Sequence, residues 1–113
     1  MLEVGERPWG IYYVLNDEAT CKVKKIIVHP NQRLSYQYHN HRSEIWSIVQ
    51  GKALVIIDEV EHILDKGDVI KIPQFAKHRI QNIGEIDLLF IEVQLGTYFG
   101  EDDIIRLQDD YAR

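Results

Sequence analysis

Four side chains of types that bind metal ions stand in two short segments of the sequence. His39, His41 and Glu44 lie close together, and His78 follows after Pro73. Side chains two residues apart in an extended strand project to the same face, so His39 and His41 are predicted to bind one ion together. Imidazole nitrogens and a carboxylate oxygen suit a divalent first-row metal ion. The sequence therefore predicts a metal site formed by His39, His41, Glu44 and His78.

The segments around these residues have the pattern of a β-protein. Short apolar runs rich in Val, Ile and Tyr recur along the chain and end at residues that favour turns, which is typical of an all-β sandwich or barrel. The predicted strands cover residues 10–15, 22–28, 34–41, 45–50, 53–57, 60–64, 69–72, 78–82 and 88–94. After Gly100, three acidic residues precede Ile104, Leu107 and Tyr111 at helical spacing. We therefore predict a short C-terminal helix on the outside of the barrel.

Composition limits the classes of protein to which the chain can belong. With 113 residues, 45% of them hydrophobic, one core is expected, and we predict a single domain over residues 1–113. The net charge of −5 and the scattered basic residues argue against nucleic acid as a partner. The apolar runs are shorter than the roughly 20 residues that cross a bilayer, so membrane insertion is not expected. One cysteine and no leading targeting segment predict a cytoplasmic protein.

Two sets of spacings resemble the two sequence motifs of the cupin superfamily. The first set is His39, His41, Glu44 and Gly51, and the second is Gly67, Pro73, His78 and Asn82. Asn31 and Phe75 stand where the family pattern has glycines, at positions that supply no ligand. The resemblance implies an all-β cupin double-stranded β-helix, which is a jelly-roll barrel, with the metal ion inside it.

Three longer segments extend this resemblance over nearly the whole chain. Residues 7–10, 36–46 and 92–104 are similar to the C-terminal domain of type II mannose-6-phosphate isomerases, and the last segment is the most specific. In many family members this domain is fused to a mannose-1-phosphate guanylyltransferase domain, whose glycine-rich signature is absent here, so the domain is expected to stand alone. The chain departs from the family pattern at Ile45, where a histidine usually follows the glutamate, and at Ala112.

The resemblance implies a metal-dependent isomerase that interconverts mannose 6-phosphate and fructose 6-phosphate through an enediol. Such a reaction needs a Lewis acid, a base that moves a proton between C1 and C2, and cations for the phosphate. A divalent ion, Zn, Mn, Fe, Co or Ni, would be the Lewis acid. Glu92 and Asp102 are candidates for the base. Arg42 and Arg106 are candidates for the phosphate, and Gln37 shares the strand face of the ligands and is a candidate for substrate binding.

Two other classes of function remain open at this point. One is a different cupin enzyme, such as an iron-dependent oxygenase or a sugar-nucleotide epimerase, since fold does not fix function. The other is a non-catalytic module that binds a sugar phosphate, which the departure at Ile45 favours. A homodimer is expected, because Tyr36 and Tyr38 lie on the outer face of their predicted strand and need cover. His29 and His62 are predicted to be structural histidines outside the site.

Overall fold

The structure is a computed structural model that describes residues 2–111, and within this range it consists of two antiparallel β-sheets that face each other. The strands are β1 (Glu3–Arg7), β2 (Gly10–Asp17), β3 (Cys21–Val28), β4 (Tyr36–Tyr38), β5 (Arg42–Gln50), β6 (Ala53–Ile57), β7 (Val60–Leu64), β8 (Val69–Ile72), β9 (His78–Asn82), β10 (Leu88–Gly96) and β11 (Ile105–Gln108). One sheet has the order β1-β2-β3-β10-β5-β8, and the other has the order β11-β4-β9-β6-β7. The predicted barrel of two sheets is confirmed.

The core lies between the sheets and is built by strands whose side chains alternate between buried and more exposed positions. In β5 and β10 this period of two holds over most of each strand, as expected where one face of a sheet is buried. The largest fully buried apolar side chains are Trp46, Phe90, Ile48, Ile72, Ile80 and Leu88. Each contributes about 1.5–3 kcal/mol when it is removed from water. This packing fixes the register of the strands that carry the site.

The inner faces of β5 and β10 change from apolar to polar along the length of each strand. Both strands have apolar inward residues at one end, and both have charged or amide inward residues at the other. Antiparallel pairing sets Glu92 opposite Trp46 and Gln94 opposite Glu44, so the polar ends of the two strands meet. One end of the barrel interior is therefore polar although it is buried, and buried polar groups of this kind require partners.

The predicted C-terminal helix is wrong. Glu101–Asp103 forms one 3₁₀ turn, and the chain then continues as β11 along the edge of β4, with Arg106 opposite Gln37. Without β11, the edge of β4 would expose a row of unpaired backbone groups, and pairing with it satisfies both strands. A helix this short gains little by itself, because its first turn is costly to form. The edge pairing overrides the helical spacing of the apolar residues.

Asp103 ties the 3₁₀ turn to the segment that precedes β5. Its buried carboxylate accepts hydrogen bonds from the backbone N–H groups of Asn40, at 3.0 Å, and His41, at 2.9 Å. We expect Asp103→Ala to lower the free energy of unfolding by about 2 kcal/mol, because two backbone donors lose their acceptor. The exposed neighbour Asp102 is the matched control, and Asp102→Ala should change stability by only about 0.5 kcal/mol. Urea unfolding would contradict this account if both variants lost the same stability.

Two aromatic residues that the sequence places outside the barrel are half-buried in the structure. Tyr36 and Tyr38 lie on β4, where β11 pairs with them on one side, and the Tyr36 hydroxyl donates to Glu59 at 2.8 Å. Part of the cover that these side chains need therefore comes from the chain itself. The homodimer stays a prediction. Within residues 2–111, no helix has the length and apolar character needed to cross a membrane.

Candidate metal site and adjoining cavity

Three of the four predicted metal ligands meet at the polar end of the barrel interior. His39 follows β4, Glu44 lies on β5 and His78 begins β9, so the two sheets together bring them to one point. One ligand atom from each residue lies within 4.8 Å of the others, and all three side chains are buried. The pairing of Gln37 with His78 fixes the register between β4 and β9. Three residues from distant parts of the sequence therefore meet in the structure.

The two histidine rings are oriented by backbone carbonyl groups. Nδ1 of His39 lies 3.0 Å from the carbonyl oxygen of Asp103, and Nδ1 of His78 lies 2.9 Å from that of Ala76. A carbonyl oxygen only accepts, so Nδ1 carries the proton in each ring and Nε2 remains to bind a metal ion. Nε2 of His78 is buried and has no hydrogen-bond partner among the described residues. This donor set fits a divalent ion.

Glu44 supplies the anionic ligand of the cluster. Its carboxylate accepts hydrogen bonds from Trp46 Nε1–H and Arg42 Nε–H, each at 2.8 Å, and Oε2 lies 3.2 Å from His39 Nε2. Burial alone would raise the pKa of Glu44, yet the charge of Arg42 beside it holds that pKa well below its usual value. Glu44 is therefore ionised at neutral pH, as a metal ligand must be.

The structure does not bring His41 to this cluster. Its side chain is exposed, and its ring lies edge-on to Tyr98 with the ring centroids 6.1 Å apart. The prediction assumed one extended strand through residues 34–41, whereas β4 ends at Tyr38 and the chain bends before β5 begins. Side chains two residues apart share a face only in an extended strand. The bend therefore turns His41 away from His39.

A cavity of about 60 Å³ is lined in part by Arg42, whose Nε–H donates to Glu44, so the cavity lies beside the cluster, although His39, Glu44 and His78 do not themselves line it. Its lining includes the predicted substrate residues Gln37, Arg42 and Arg106, together with the predicted base Glu92. Asp102, the other predicted base, is exposed, accepts a hydrogen bond from the Tyr98 hydroxyl and does not line the cavity. The geometry thus separates the two candidates for the base.

Glu92 is a buried carboxyl group at the wall of this cavity. Its Oε1 accepts a hydrogen bond from the amide of Gln94, and the residue is 5% exposed. Burial raises the pKa of Glu92 to about 7, the charge of Glu44 adds to the rise, and the charges of Lys24 and Arg42 oppose it. A carboxyl group with a pKa near neutrality, held beside a cavity, is suited to accept and return a proton.

Four residues of this region were missed by the sequence analysis. Arg7, Lys24 and Glu101 line the cavity, and Asp103 orients the loop before β5. The sequence contains a signal for Lys24, because Lys24, Ile26 and Val28 are spaced two residues apart in a strand. Lys24 must therefore share the inward face of the two apolar residues. The sequence carries no signal for the others, because their positions depend on pairings between distant segments.

The architecture and the buried ligand cluster define the class of protein. The structure is similar to the cupin domain of Cnp3 from Schizosaccharomyces pombe, with a TM-score of 0.73 and 17% identity over 76% of this chain and 64% of that one. It is also similar to oxalate decarboxylase from Lactobacillus farciminis, with a TM-score of 0.81 and 26% identity over 94% of this chain and 33% of that one. The predicted cupin fold is confirmed.

Residues 3–109 match the family described as mannose-6-phosphate isomerase C-terminal, and the chain belongs to this family. It is 46% identical to the alginate biosynthesis protein AlgA of Pseudomonas aeruginosa, over 95% of this chain and 22% of that protein. It is 43% identical to the mannose-1-phosphate guanylyltransferase of Salmonella montevideo, over 95% of this chain and 23% of that protein. The chain thus spans about a fifth of the length of these curated relatives.

These matches correct the predicted function. The sequence analysis predicted a stand-alone isomerase, with another cupin enzyme or a binding module as alternatives. The matched region is only 22% or 23% of relatives named for alginate biosynthesis or guanylyl transfer, so their names do not give the predicted isomerisation as the activity of this chain. The family match supports neither of the two alternatives. The chain is a cupin domain of the mannose-phosphate isomerase type with a cluster that can hold a divalent metal ion.

Proposed function

We propose that this domain carries a mannose-6-phosphate isomerase activity that works alongside guanylyl transfer in mannose-phosphate metabolism. The observation that carries the proposal is the position of Glu92, a buried carboxyl group with a pKa of about 7 in the wall of a cavity that Arg42 connects to the His39, Glu44 and His78 cluster. The names of the longer relatives and the family match support the choice of a mannose phosphate as substrate.

The cluster fits a resident divalent metal ion. His39, Glu44 and His78 would hold it through two imidazole nitrogens and a carboxylate oxygen, a set that Zn, Mn, Fe, Co and Ni accept. The unpartnered Nε2 of His78 is the observation that supports this assignment, because buried polar atoms rarely lack partners. When bound, such an ion polarises the carbonyl and hydroxyl oxygens of a sugar.

The residues of the chain supply the remaining functions. Glu92 takes the proton from C2 of the open-chain aldose and returns it to C1, while the hydroxyl proton on O2 passes to O1, so that the aldose becomes a ketose with no net gain or loss of atoms. Its burial allows both steps, because the protonated and ionised forms are close in free energy near pH 7. Arg42 and Arg106 balance the negative charge of the phosphate, and Gln37 can bind a sugar hydroxyl through its amide.

A coupled assay tests the proposal. The purified domain, incubated with each of the five divalent ions in turn, should convert mannose 6-phosphate into the ketose phosphate and should leave unphosphorylated mannose nearly unchanged. The phosphate is needed because it supplies charge-assisted contacts that hold the sugar in the cavity. Saturable binding of mannose 6-phosphate without turnover in any of these ions would contradict the proposed activity.

A further inference from the structure

Lys24 is a buried amine in the wall of the cavity. It lies on β3 with 7% of its surface exposed, and its Nζ lies 3.2 Å from Oε1 of Glu101. The same Nζ lies 4.6 Å from the centre of the Tyr12 ring, which stabilises a cation by its electron-rich face. A buried ammonium group requires an anion close to it. In the structure Glu101 is that anion.

Arg42 contributes a second cation to the same cavity. Its Nε–H donates to Glu44, whereas its Nη1 is buried and has no hydrogen-bond partner among the described residues. A buried donor without an acceptor is costly, and such groups in native proteins commonly meet a ligand or ion. The cavity is therefore lined by one cation that is paired with a half-exposed carboxylate and by another that has an unfilled donor.

The carboxylate of Glu101 is placed so that it can move away from Lys24. Burial would raise the pKa of Glu101, but the charge of Lys24 and its hydrogen bond lower that pKa, and the charges of Arg42 and Lys22 act in the same direction. Its side chain is 50% exposed, and it belongs to a single 3₁₀ turn without a side-chain cap. Lys24, by contrast, is fixed between β2 and β10 in the sheet. The carboxylate can therefore swing out while the cations remain in place.

We propose that Lys24 and the free Nη1 of Arg42 form a phosphate subsite, and that Glu101 is a built-in anion which the phosphate displaces. The inference rests on the proposed function for the choice of a sugar phosphate as the natural ligand. A phosphate group brings more negative charge than a carboxylate and more acceptor oxygens, so it can contact both cations at once. Lys24 is then a residue that selects phosphorylated over unphosphorylated sugars.

The test is calorimetric titration of the protein with inorganic phosphate and, separately, with mannose 6-phosphate. We expect Lys24→Met to weaken the binding of both ligands by about tenfold or more, because a charge-assisted contact is lost. Glu101→Gln should strengthen the binding of both ligands several-fold, because the competing anion is removed. A purely structural pairing of Lys24 with Glu101 would make both variants weaker, so the opposite signs separate the two accounts.

Two variants serve as matched controls. Lys25 is the neighbour of Lys24, but its Nζ lies over the Tyr13 ring, 4.7 Å from its centre, and it does not line the cavity. Glu85 is an exposed glutamate that does not line the cavity. Lys25→Met and Glu85→Gln should bind both ligands as the wild-type protein does. Circular dichroism is used to check that Lys24→Met is folded. If it is not, the effect of Glu101→Gln on phosphate binding tests the subsite by itself.

The outcomes distinguish this inference from the proposed function. One possible result is that phosphate binds, more weakly to Lys24→Met and more tightly to Glu101→Gln, but mannose 6-phosphate is not converted. This result would support the subsite and contradict the isomerase activity. Binding of mannose 6-phosphate but not of inorganic phosphate, with the same signs, would assign the subsite to the sugar phosphate as a whole. The inference is overturned if wild-type protein binds neither ligand, or if Glu101→Gln weakens binding.

Discussion

Replacing His78 by alanine is expected to lower the affinity of the domain for its metal ion by about a hundredfold or more. Loss of a group that merely orients a ligand costs 10–100-fold, and His78 is itself one of three ligand groups in the cluster. Its buried Nε2 has no hydrogen-bond partner among the described residues, so its removal breaks no hydrogen bond at that atom. Elemental analysis after dialysis against a fixed metal concentration gives the content directly.

His62→Ala is the matched control for this change. His62 lies on β7, paired with Val55 at a half-buried position, and is not part of the cluster. Its replacement should leave the metal content of the protein unchanged. Circular dichroism should show that both variants keep the β-sheet signal. Full metal content in folded His78→Ala, or equal loss in His62→Ala, would show that the cluster is not the metal site.

The second large effect is expected for Glu92→Gln. Glutamine keeps the size of the side chain but cannot accept and return a proton, and general base catalysis typically contributes 10²–10⁴-fold. We therefore expect kcat for mannose 6-phosphate to fall by roughly 10²-fold or more, with KM and metal content little changed. Asp102→Asn changes the other candidate base, which is exposed, and the comparison shows which of the two carboxylates transfers the proton. A greater loss of kcat in Asp102→Asn than in Glu92→Gln would reverse the assignment.

Glu92 should also make stability depend on pH. Its pKa is about 7 in the folded protein and near 4.5 when exposed, so the folded state binds the extra proton between these values. The contribution of Glu92 to stability is thus complete below about pH 4.5 and is lost as the pH rises to 7, by up to about 3 kcal/mol. Urea unfolding with a chelator should show that wild type loses stability relative to Glu92→Gln over this window. The opposite slope would contradict the burial of an ionisable Glu92.

Much of the barrel could be predicted from the sequence, because alternation and turns are local signals. The strands over residues 53–57, 60–64, 69–72 and 78–82 match β6 to β9. β1 and β11 were missed, since each forms only by pairing with an edge strand that the sequence does not identify. Asn31 and Phe75, which replace glycines of the cupin pattern, have φ angles of 66° and 71°. The turns thus keep a conformation that favours glycine.

The candidate site was predictable only in part. His39, Glu44 and His78 were predicted from their spacing and from the family resemblance, and they meet in the structure. The same spacing argument failed for His41, because it requires an extended strand and the chain bends there. The role of Asp103 could not be predicted, since it depends on contacts with residues more than sixty positions away. Local sequence patterns predict which face of a strand a side chain occupies, whereas a functional site depends on where distant segments of the chain meet.

We propose that the polar end of this barrel converts a mannose phosphate by proton transfer through Glu92. The most direct measurement follows mannose 6-phosphate by NMR in the presence of the metal-loaded domain, for wild type and for Glu92→Gln side by side. The account predicts that the ketose phosphate accumulates with the wild-type protein and forms at least about a hundredfold more slowly with Glu92→Gln. Equal rates for the two proteins, or no ketose phosphate from the wild type, would contradict it.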